Sequence, residues 1–288
     1  MAKHLILADL DNTLYDWARF FAPSFRAMVD VLRRELAIPE EQVYAEFKTV
    51  FARHGSLEYA FAIQELDSVR SLPTEKVSDL IRQGRGAFLH VQRNKLKVYP
   101  GVYETLKWLW DQDVDVVGIT NSPLHRAQKR LYELRIDSFL TGLVAWEGYR
   151  APEAAETSGF VTGTRERKLT RLNRFVAVPK TDCKPSSAHY AHALDRFAKS
   201  ASEVWAIGDS LSKDLVPAAR LGIKTIWAKY GAGLDPDGKD ARTLLRITHW
   251  NASEIQATYS MEGFEPDHTI ESITEIMGIV PATVPKLF

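Results

Sequence analysis

Two acidic residues follow an apolar run close to the start of the chain. The stretch "HLILADLDNT" places Asp9 and Asp11 two residues apart, where the apolar run ends. Such a run predicts a buried strand, and a buried carboxylate is costly unless a cation or a basic side chain neutralises it. Because Mg²⁺ prefers oxygen ligands in proteins, a magnesium site is the simplest explanation for the pair.

Two later apolar runs end in groups that suit the same chemistry, namely "ITNS" and "GDSLSKD". Ligands of an open parallel sheet collect at the carboxyl ends of its strands, so we expect these groups to converge. The expected magnesium ligands are Asp9, the backbone carbonyl of Asp11, and Asp209. Lys184, which opens the segment before the "GDS" strand, would neutralise part of the remaining negative charge. Together these residues predict an active site rather than separate structural turns.

The apolar periodicity predicts the elements that position these residues. Residues 4–10 predict a short buried strand, and residues 15–95 show the three-to-four spacing of helices. From residue 100 onward strands and helices alternate, which favours an α/β fold with a Rossmann-like, doubly wound parallel sheet. The predicted domains are a core of residues 1–14 and 98–288 and an all-helical insertion of residues 15–97.

Residues 147–183 interrupt the alternation with a long polar stretch rich in arginine. We interpret it as an insertion in the core, folded as a β-hairpin flap. It would shield the site, contact the substrate or pair two subunits as a homodimer. Five acidic residues accompany the basic ones, so the segment does not favour nucleic acid as a partner. Residues 236–265 are a second irregular stretch with some helix.

Composition excludes several classes of protein. The 288 residues carry 37 basic and 37 acidic side chains, so no net field favours nucleic acid or disorder. The single cysteine, Cys183, excludes a disulfide within the chain and is expected to be a plain thiol. No apolar run is long enough to span a membrane, and the N-terminus does not resemble a secretory signal. We therefore expect a cytoplasmic protein without a membrane partner.

Four short motifs resemble those of the haloacid dehalogenase superfamily. They are, in order, "DLDNT", "ITNS", "KP" and "GDSLSKD", and the helical stretch after the first is similar to the family's helical cap. Members of the phosphatase type hydrolyse phosphate esters with Mg²⁺. The stretches "DLDNTLY" and "HGSL" are similar to pyrimidine 5′-nucleotidases of that superfamily.

The resemblance implies catalytic roles for individual residues. Asp9 would be the nucleophile, and Asp11 the acid that protonates the leaving oxygen and then the base that activates water. Thr120 and the backbone amide of Asn121 would hold phosphoryl oxygens. Lys184 would bind both the nucleophile and the phosphoryl group.

Further residues would support this machinery. Asp209 would bind Mg²⁺, Asp214 would hold Lys184 or a metal-bound water, and Thr13 would orient Asp11, with Ser210 beside them. Lys180, in "VPKTD", competes with Lys184 for the third motif. We favour Lys184 because a proline and the next helix follow it directly.

The sequence therefore predicts a Mg²⁺-dependent phosphomonoesterase that acts on a small phosphorylated metabolite through an aspartyl-phosphate. The second acid, Asp11, argues against a dehalogenase, because halide leaves without a proton. The substrate could be a nucleoside 5′-monophosphate, with aromatic residues from 15–21 stacking on the base, or a small phosphorylated sugar or acid such as phosphoglycolate. Two alternatives stay open: a phosphotransferase or mutase with the same intermediate, and an inactive binding protein.

Overall fold

A seven-stranded parallel sheet forms the centre of the molecule. The computed structural model describes residues 4–149, 174–233, 238–248 and 259–281. The strands are β1 (Leu5–Asp9), β2 (Asp115–Pro123), β3 (Gly142–Trp146), β4 (Phe175–Val178), β5 (Val204–Gly208), β6 (Lys224–Ala228) and β7 (His268–Ile270). They are hydrogen-bonded in the order β4-β3-β2-β1-β5-β6-β7, with β1 at the centre.

Helices cover both faces of this sheet. The described α-helices are α1 (Trp17–Leu36), α2 (Glu40–His54), α3 (Thr74–Lys95), α4 (Val102–Asp111), α5 (Leu124–Glu133), α6 (Ala188–Phe197), α7 (Val216–Ala219), α8 (Lys239–Ile247) and α9 (Ile276–Ile279). Alternate β1 side chains enter different cores: Ile6 packs in the same cluster as Leu131 of α5, and Leu7 packs with Tyr190 of α6. The predicted α/β, doubly wound Rossmann-like sheet is confirmed. None of the described helices has the length and apolar character needed to cross a bilayer.

Residues 17–95, the helical block, leave the sheet after β1 and return before β2. Aromatic rings fill its centre: Phe25 lies 4.9 Å from Phe47 and 5.7 Å from Tyr44, measured between ring centroids. Helix α1 begins at an N-cap, Asp16, whose carboxylate accepts from the Arg19 amide at 2.9 Å. The three-to-four apolar spacing thus buries one face of each helix against its neighbours.

Helix α8 attaches the helical block to the rest of the chain. Arg26 of α1 forms an ion pair with Asp240 at 2.8 Å. Arg246 of α8 lies 3.5 Å over the Tyr44 ring and pairs with Glu40 at 2.8 Å. Part of the predicted irregular stretch 236–265 is therefore a helix that contacts both α1 and α2.

The predicted insertion at 147–183 differs in part from the structure. Its residues Phe175–Val178 form β4, an edge strand that pairs in parallel with β3 through Leu143↔Phe175 and Trp146↔Val178. The short run "FVAV" contains residues that favour strands, and at a sheet edge it needs only one partner strand. The polar residues around it make this strand difficult to predict from the sequence. The rest of the predicted flap, residues 150–173, lies outside the described residues.

Strand register brings the chemically active residues to one level. Asp9 at the end of β1 pairs with Ile119, so Thr120 of β2 lies one residue beyond it. On the other side Ala8 pairs with Ile207, which places Gly208 beside Asp9 and Asp209 just past it. The carboxyl edge of the three central strands therefore collects the predicted site.

Candidate active site

Lys184 joins two buried carboxylates at this edge. Its ammonium contacts Asp9 Oδ1 and lies 2.6 Å from Asp214 Oδ1. The three side chains are 5%, 6% and 2% exposed, so water screens the ion pairs weakly. Burial disfavours the charged amine, but Asp214 and Asp9 outweigh that effect and raise the pKa of Lys184 well above its ordinary value.

Asp9, Asp209 and Asp214 form what we call the acidic cluster. One carboxylate oxygen from each lies within 4.8 Å of the others. The pKa of Asp9 is raised to about 7, because burial and repulsion from Asp214 and Asp11 raise it by more than Lys184 lowers it. Burial, followed by Asp214 and Asp9, also raises the pKa of Asp209 well above its ordinary value. Hard oxygen donors that repel one another in this way suit a divalent cation.

The turn after β5 holds Asp214 in the acidic cluster. The Ser210 amide donates to Asp214 Oδ2 at 3.0 Å, and the Ser210 hydroxyl accepts from the Lys213 amide at 3.2 Å. Gly208 makes this close approach feasible, because a Cβ there would lie 2.4 Å from the Asp214 Cβ. Ser210 therefore acts on the cluster by fixing the turn that carries Asp214.

Thr13 supports a different carboxylate from the one predicted. Its hydroxyl donates to Asp9 Oδ2 at 3.1 Å, whereas Asp11 receives its hydrogen bonds from other residues. The cause is local: Asn12 takes a left-handed conformation with φ 61°, and the Leu14 amide bonds back to the Leu10 carbonyl at 2.9 Å. This tight turn directs Thr13 toward β1, so the expectation that it orients Asp11 is wrong.

The carboxylate of Asp11 faces α5 and the end of β2. It accepts from the Ser122 hydroxyl at 2.8 Å, the Thr120 hydroxyl at 3.3 Å and Arg130 Nη1 at 3.2 Å. Thr120, predicted to hold phosphoryl oxygens, thus donates to Asp11 in this structure. We call these four residues the Asp11 pocket.

Sequence reasoning missed Arg130 and Glu58. Arg130 lies in α5 and contacts Glu58 Oε1 from the helical block, with the two side chains 4% and 6% exposed. The helical spacing in α5 could have indicated that Arg130 is buried. Ala127 and Leu131 predict the buried face of this helix, and Arg130 lies on the same face. A charge on an apolar helix face needs a buried partner, but the sequence alone does not identify it.

The structure separates the two lysines that competed for the third motif. Lys184 reaches Asp9, while the Lys180 amine contacts the His54 carbonyl and lies 5.4 Å from the Trp146 ring. Two hydrogen bonds to the Asn121 side chain hold the Lys184 backbone, at 2.9 Å for its amide and 2.7 Å for its carbonyl. The Asn121 side chain therefore fixes the segment that carries Lys184.

The aromatic residues considered for stacking on a base are mostly enclosed. Tyr15 and Phe20 are fully buried and Phe21 is nearly so. Trp17 is partly exposed, stacks on Phe21 at 4.5 Å, and donates from its indole to Glu58 at 3.1 Å. Trp17, Phe20 and Phe21 belong to the start of α1, and Tyr15 lies just before it.

The basic side chains at the C-terminal end of α2 also make contacts within the protein. His54 stacks on Tyr59 at 3.6 Å, and its Nε2 lies 2.8 Å from Glu65. Arg53 pairs with the same carboxylate at 3.3 Å. Glu65 therefore accepts contacts from both basic side chains of this segment.

Two known proteins similar to this chain are phosphatases. The chain is 33% identical over 144 residues to a phosphoglycolate phosphatase of Pseudomonas syringae pv. syringae, a match that spans 49% of each protein and so about half the relative's length. It is 24% identical over 231 residues to a glyceraldehyde 3-phosphate phosphatase of Pyrococcus abyssi, covering 79% of this chain and 82% of the relative.

Solved structures and family models extend the comparison to the whole fold. A HAD phosphatase from Thermococcus onnurineus matches with a TM-score of 0.57 and 18% identity, covering 98% of this chain and 99% of the other, which shows a shared fold. A HAD-hydrolase-like family model matches residues 182–276. The haloacid dehalogenase-like hydrolase model matches residues 3–222, most of the chain. The chain therefore belongs to the haloacid dehalogenase-like hydrolase family.

Proposed function

We propose that this protein is a Mg²⁺-dependent phosphomonoesterase that works through a phosphoryl intermediate on Asp9. The observation that carries the proposal is the pairing of Asp9 with Lys184 inside a group of carboxylates, next to a second acid with different partners. A nucleophilic carboxylate beside a fixed ammonium suits attack on an anionic phosphate, because the cation offsets the repulsion between the two.

In the first half-reaction a carboxylate oxygen of Asp9 forms a bond to phosphorus while the bond from phosphorus to the leaving oxygen breaks. Asp11, protonated for this step, gives its proton to the leaving oxygen. Lys184 stabilises the negative charge on the transferred phosphoryl group. The products are the free alcohol and an aspartyl-phosphate.

In the second half-reaction Asp11, now ionised, takes a proton from water. The water oxygen attacks phosphorus, and the bond from phosphorus to Asp9 breaks to release inorganic phosphate. Thr120 and Ser122 donate to Asp11 and hold its carboxylate at the carboxyl edge of the sheet. The acid and base roles then follow from one residue in two protonation states.

The acidic cluster fits the magnesium that this chemistry requires. Asp9 and Asp209 would hold the ion together with the Asp11 backbone carbonyl, and Asp214 would hold Lys184 or a metal-bound water. When bound, Mg²⁺ supplies charge neutralisation for the phosphoryl oxygens. The fit rests on the donor chemistry, since three buried or half-buried carboxylates lie within reach of a single ion.

The substrate class we propose is a small phosphorylated acid or aldehyde. The similarity to a phosphoglycolate phosphatase and to a glyceraldehyde 3-phosphate phosphatase supports this class. A nucleoside 5′-monophosphate, also expected from the sequence, has less support because Tyr15, Phe20 and Phe21 are buried and leave Trp17 as the accessible ring. Nucleic-acid partners are not expected, and a homodimer stays a prediction.

A phosphatase screen with Mg²⁺ tests the proposal. The panel contains phosphoglycolate, glyceraldehyde 3-phosphate, sugar phosphates and nucleoside 5′-monophosphates, and inorganic phosphate is measured. An Asp9→Asn preparation, purified in parallel, detects contaminating phosphatases. We expect phosphate release from the small acid or aldehyde by wild type alone. Transfer to a second sugar without phosphate release would favour the mutase alternative, and inactivity on every ester would favour the binding protein.

A further inference from the structure

Arg130 is a buried cation that lies between two carboxylates. Its Nη1 donates to Asp11 Oδ1 at 3.2 Å and to the Ser122 hydroxyl at 3.1 Å, while its Nη2 contacts Glu58 Oε1. The guanidinium also lies 5.1 Å over the Phe20 ring. Every one of these contacts limits the orientation of the guanidinium plane, so Arg130 is a rigid support rather than a mobile surface charge.

The contacts of Arg130 cross the border between the sheet and the helical block. Asp11 and Ser122 belong to the carboxyl edge of the sheet, whereas Glu58 and Phe20 belong to the helical block. Glu58 is itself held, because the Trp17 indole donates to the same Oε1 at 3.1 Å and the Glu58 amide donates to the Ser56 hydroxyl at 3.1 Å. The block therefore contributes a fixed negative charge that anchors the arginine.

We propose that Arg130 is a positioning residue for Asp11 and that Glu58 holds Arg130 in place, so that the helical block sets the geometry of the leaving-group acid. The inference rests on the proposed function, in which Asp11 protonates the leaving oxygen. In this proposal neither residue binds the phosphoryl group. Both act through the orientation of the Asp11 carboxylate.

Asp11 needs such a support because its two hydroxyl donors, Ser122 and Thr120, both bond to the same carboxylate oxygen. It lies on a loop beyond β1, and its side chain is 24% exposed, in contrast to 6% for Asp9. Two hydroxyls hold one of its oxygens, and the longer of these bonds is 3.3 Å. Arg130 donates to the second carboxylate oxygen, Oδ1 of Asp11. Loss of that contact would remove the restraint on this second oxygen, and a misoriented acid transfers protons poorly.

A purely structural role for the Arg130–Glu58 pair predicts different kinetics. A buried ion pair that only joins the helical block to the sheet would affect every substrate equally when broken. A positioning role affects substrates according to their need for a proton. Alkyl phosphates need one on the leaving oxygen, whereas p-nitrophenolate is a stabilised anion that leaves without one.

The experiment compares kcat/KM, which depends only on the steps up to departure of the leaving group, for an alkyl ester from the active panel, such as phosphoglycolate, and for p-nitrophenyl phosphate. We expect Arg130→Gln to lower kcat/KM for the alkyl ester about 10²-fold and kcat/KM for p-nitrophenyl phosphate by less than about threefold. Hydrolysis of the aspartyl-phosphate, in which Asp11 acts as the base, is common to both esters and does not enter this ratio. Glu58→Gln should change the ratio in the same direction by about tenfold. The ratio is taken within one preparation, so partial misfolding does not alter it.

Two controls complete the design. Lys129→Gln removes a solvent-exposed charge next to Arg130 on the same helix and should leave the ratio unchanged. In an Asp11→Asn background, Arg130→Gln should cause almost no further loss of activity on the alkyl ester, because its effect depends on Asp11. Equal losses on both esters, or additive losses in the double variant, would overturn the inference. Activity retained by Asp9→Asn would instead refute the proposed function, so the two failures are distinguishable.

Discussion

Asp9 and Asp11 are two residues apart, yet they have opposite surroundings. Asp9 is nearly buried and faces the acidic cluster, where repulsion from other carboxylates and burial raise its pKa to about 7. Asp11 is 24% exposed and faces hydroxyls and Arg130. One carboxylate therefore lies where a metal ion would stabilise it, and the other lies where donors hold it at the edge of the site.

The difference shows how one short loop can supply two roles. The left-handed Asn12 directly follows Asp11 and turns the chain, so Thr13 points back to Asp9 while Asp11 points toward β2. Gly231 permits this turn, since a Cβ there would lie 1.7 Å from the Asn12 carbonyl oxygen. Environment, rather than residue type, separates the proposed nucleophile from the proposed acid and base.

The largest effect is expected from the nucleophile. Asp9→Asn removes the attacking carboxylate but keeps the side-chain volume, so kcat should fall by about 10⁴-fold or more. The measurement is phosphate release with Mg²⁺, and Asp30→Asn on the surface of α1 is the matched control. A loss of less than tenfold would place the nucleophile elsewhere.

The acid and base should show a smaller and substrate-dependent effect. Asp11→Asn should lower kcat by about 10²- to 10³-fold for alkyl phosphates, because proton transfer to the leaving oxygen is lost. The burst of p-nitrophenolate in rapid mixing should survive, since that first step needs no proton. If the burst disappears as completely as alkyl ester hydrolysis, Asp11 does not act as the leaving-group acid.

The two lysines test the Asp9 side of the comparison. Lys184→Gln removes the cation between Asp9 and Asp214, so kcat should fall about 10²-fold and the metal-free protein should lose about 3 kcal/mol of unfolding free energy. Lys180→Gln is the control, because Lys180 contacts the helical block. Denaturant unfolding and phosphate release measure both. A larger activity loss in Lys180→Gln would reverse the assignment.

The smallest effect concerns pH and magnesium. The pKa of Asp9 rises from 3.8 to about 7, so between these values the folded protein binds a proton that the unfolded chain does not. That contribution to stability is lost as pH rises through about 7. Mg²⁺ competes with this proton for Asp9. The rise in Tm that Mg²⁺ produces should therefore be larger at about pH 8 than at about pH 5, by a few degrees.

Asp209→Asn sharpens this magnesium experiment. The variant removes one oxygen donor of the acidic cluster, together with the negative charge that repels the other two carboxylates. Mg²⁺ should therefore no longer raise the Tm of this variant at any pH. Ca²⁺ and K⁺ serve as ion controls. An unchanged response in the variant would show that the ion binds outside the acidic cluster.

Much of the sheet edge was predictable, because each of its residues follows an apolar strand. The spacing of Asp9, Thr120 and Asp209 after their strands predicted convergence, and parallel register produces it. The edge strand β4 was not predictable, since a four-residue run in a polar segment carries little periodicity. The resemblance of the four motifs supplied the roles that spacing alone left open.

The Asp11 pocket was less predictable for a physical reason. The contacts of Arg130 with Glu58 and Asp11 join residues 72 and 119 positions apart, and no local pattern encodes such pairs. Thr13 was assigned to the wrong acid because the turn at Asn12 depends on one left-handed residue. Side-chain direction in a tight loop follows from backbone angles that the sequence only weakly specifies.

The central claim is that the phosphoryl group is transferred to the Asp9 carboxylate. The most direct measurement is an acid quench during turnover with Mg²⁺, followed by proteolysis and mass spectrometry of the peptide that contains "LILADLDNT". The account predicts one acid-stable, base-labile aspartyl-phosphate at Asp9, which Asp9→Asn lacks. Borohydride should reduce its acyl carbon to the alcohol of homoserine and release inorganic phosphate. A phosphoryl group on Asp11 or on any other side chain, or continued turnover by Asp9→Asn, would contradict it.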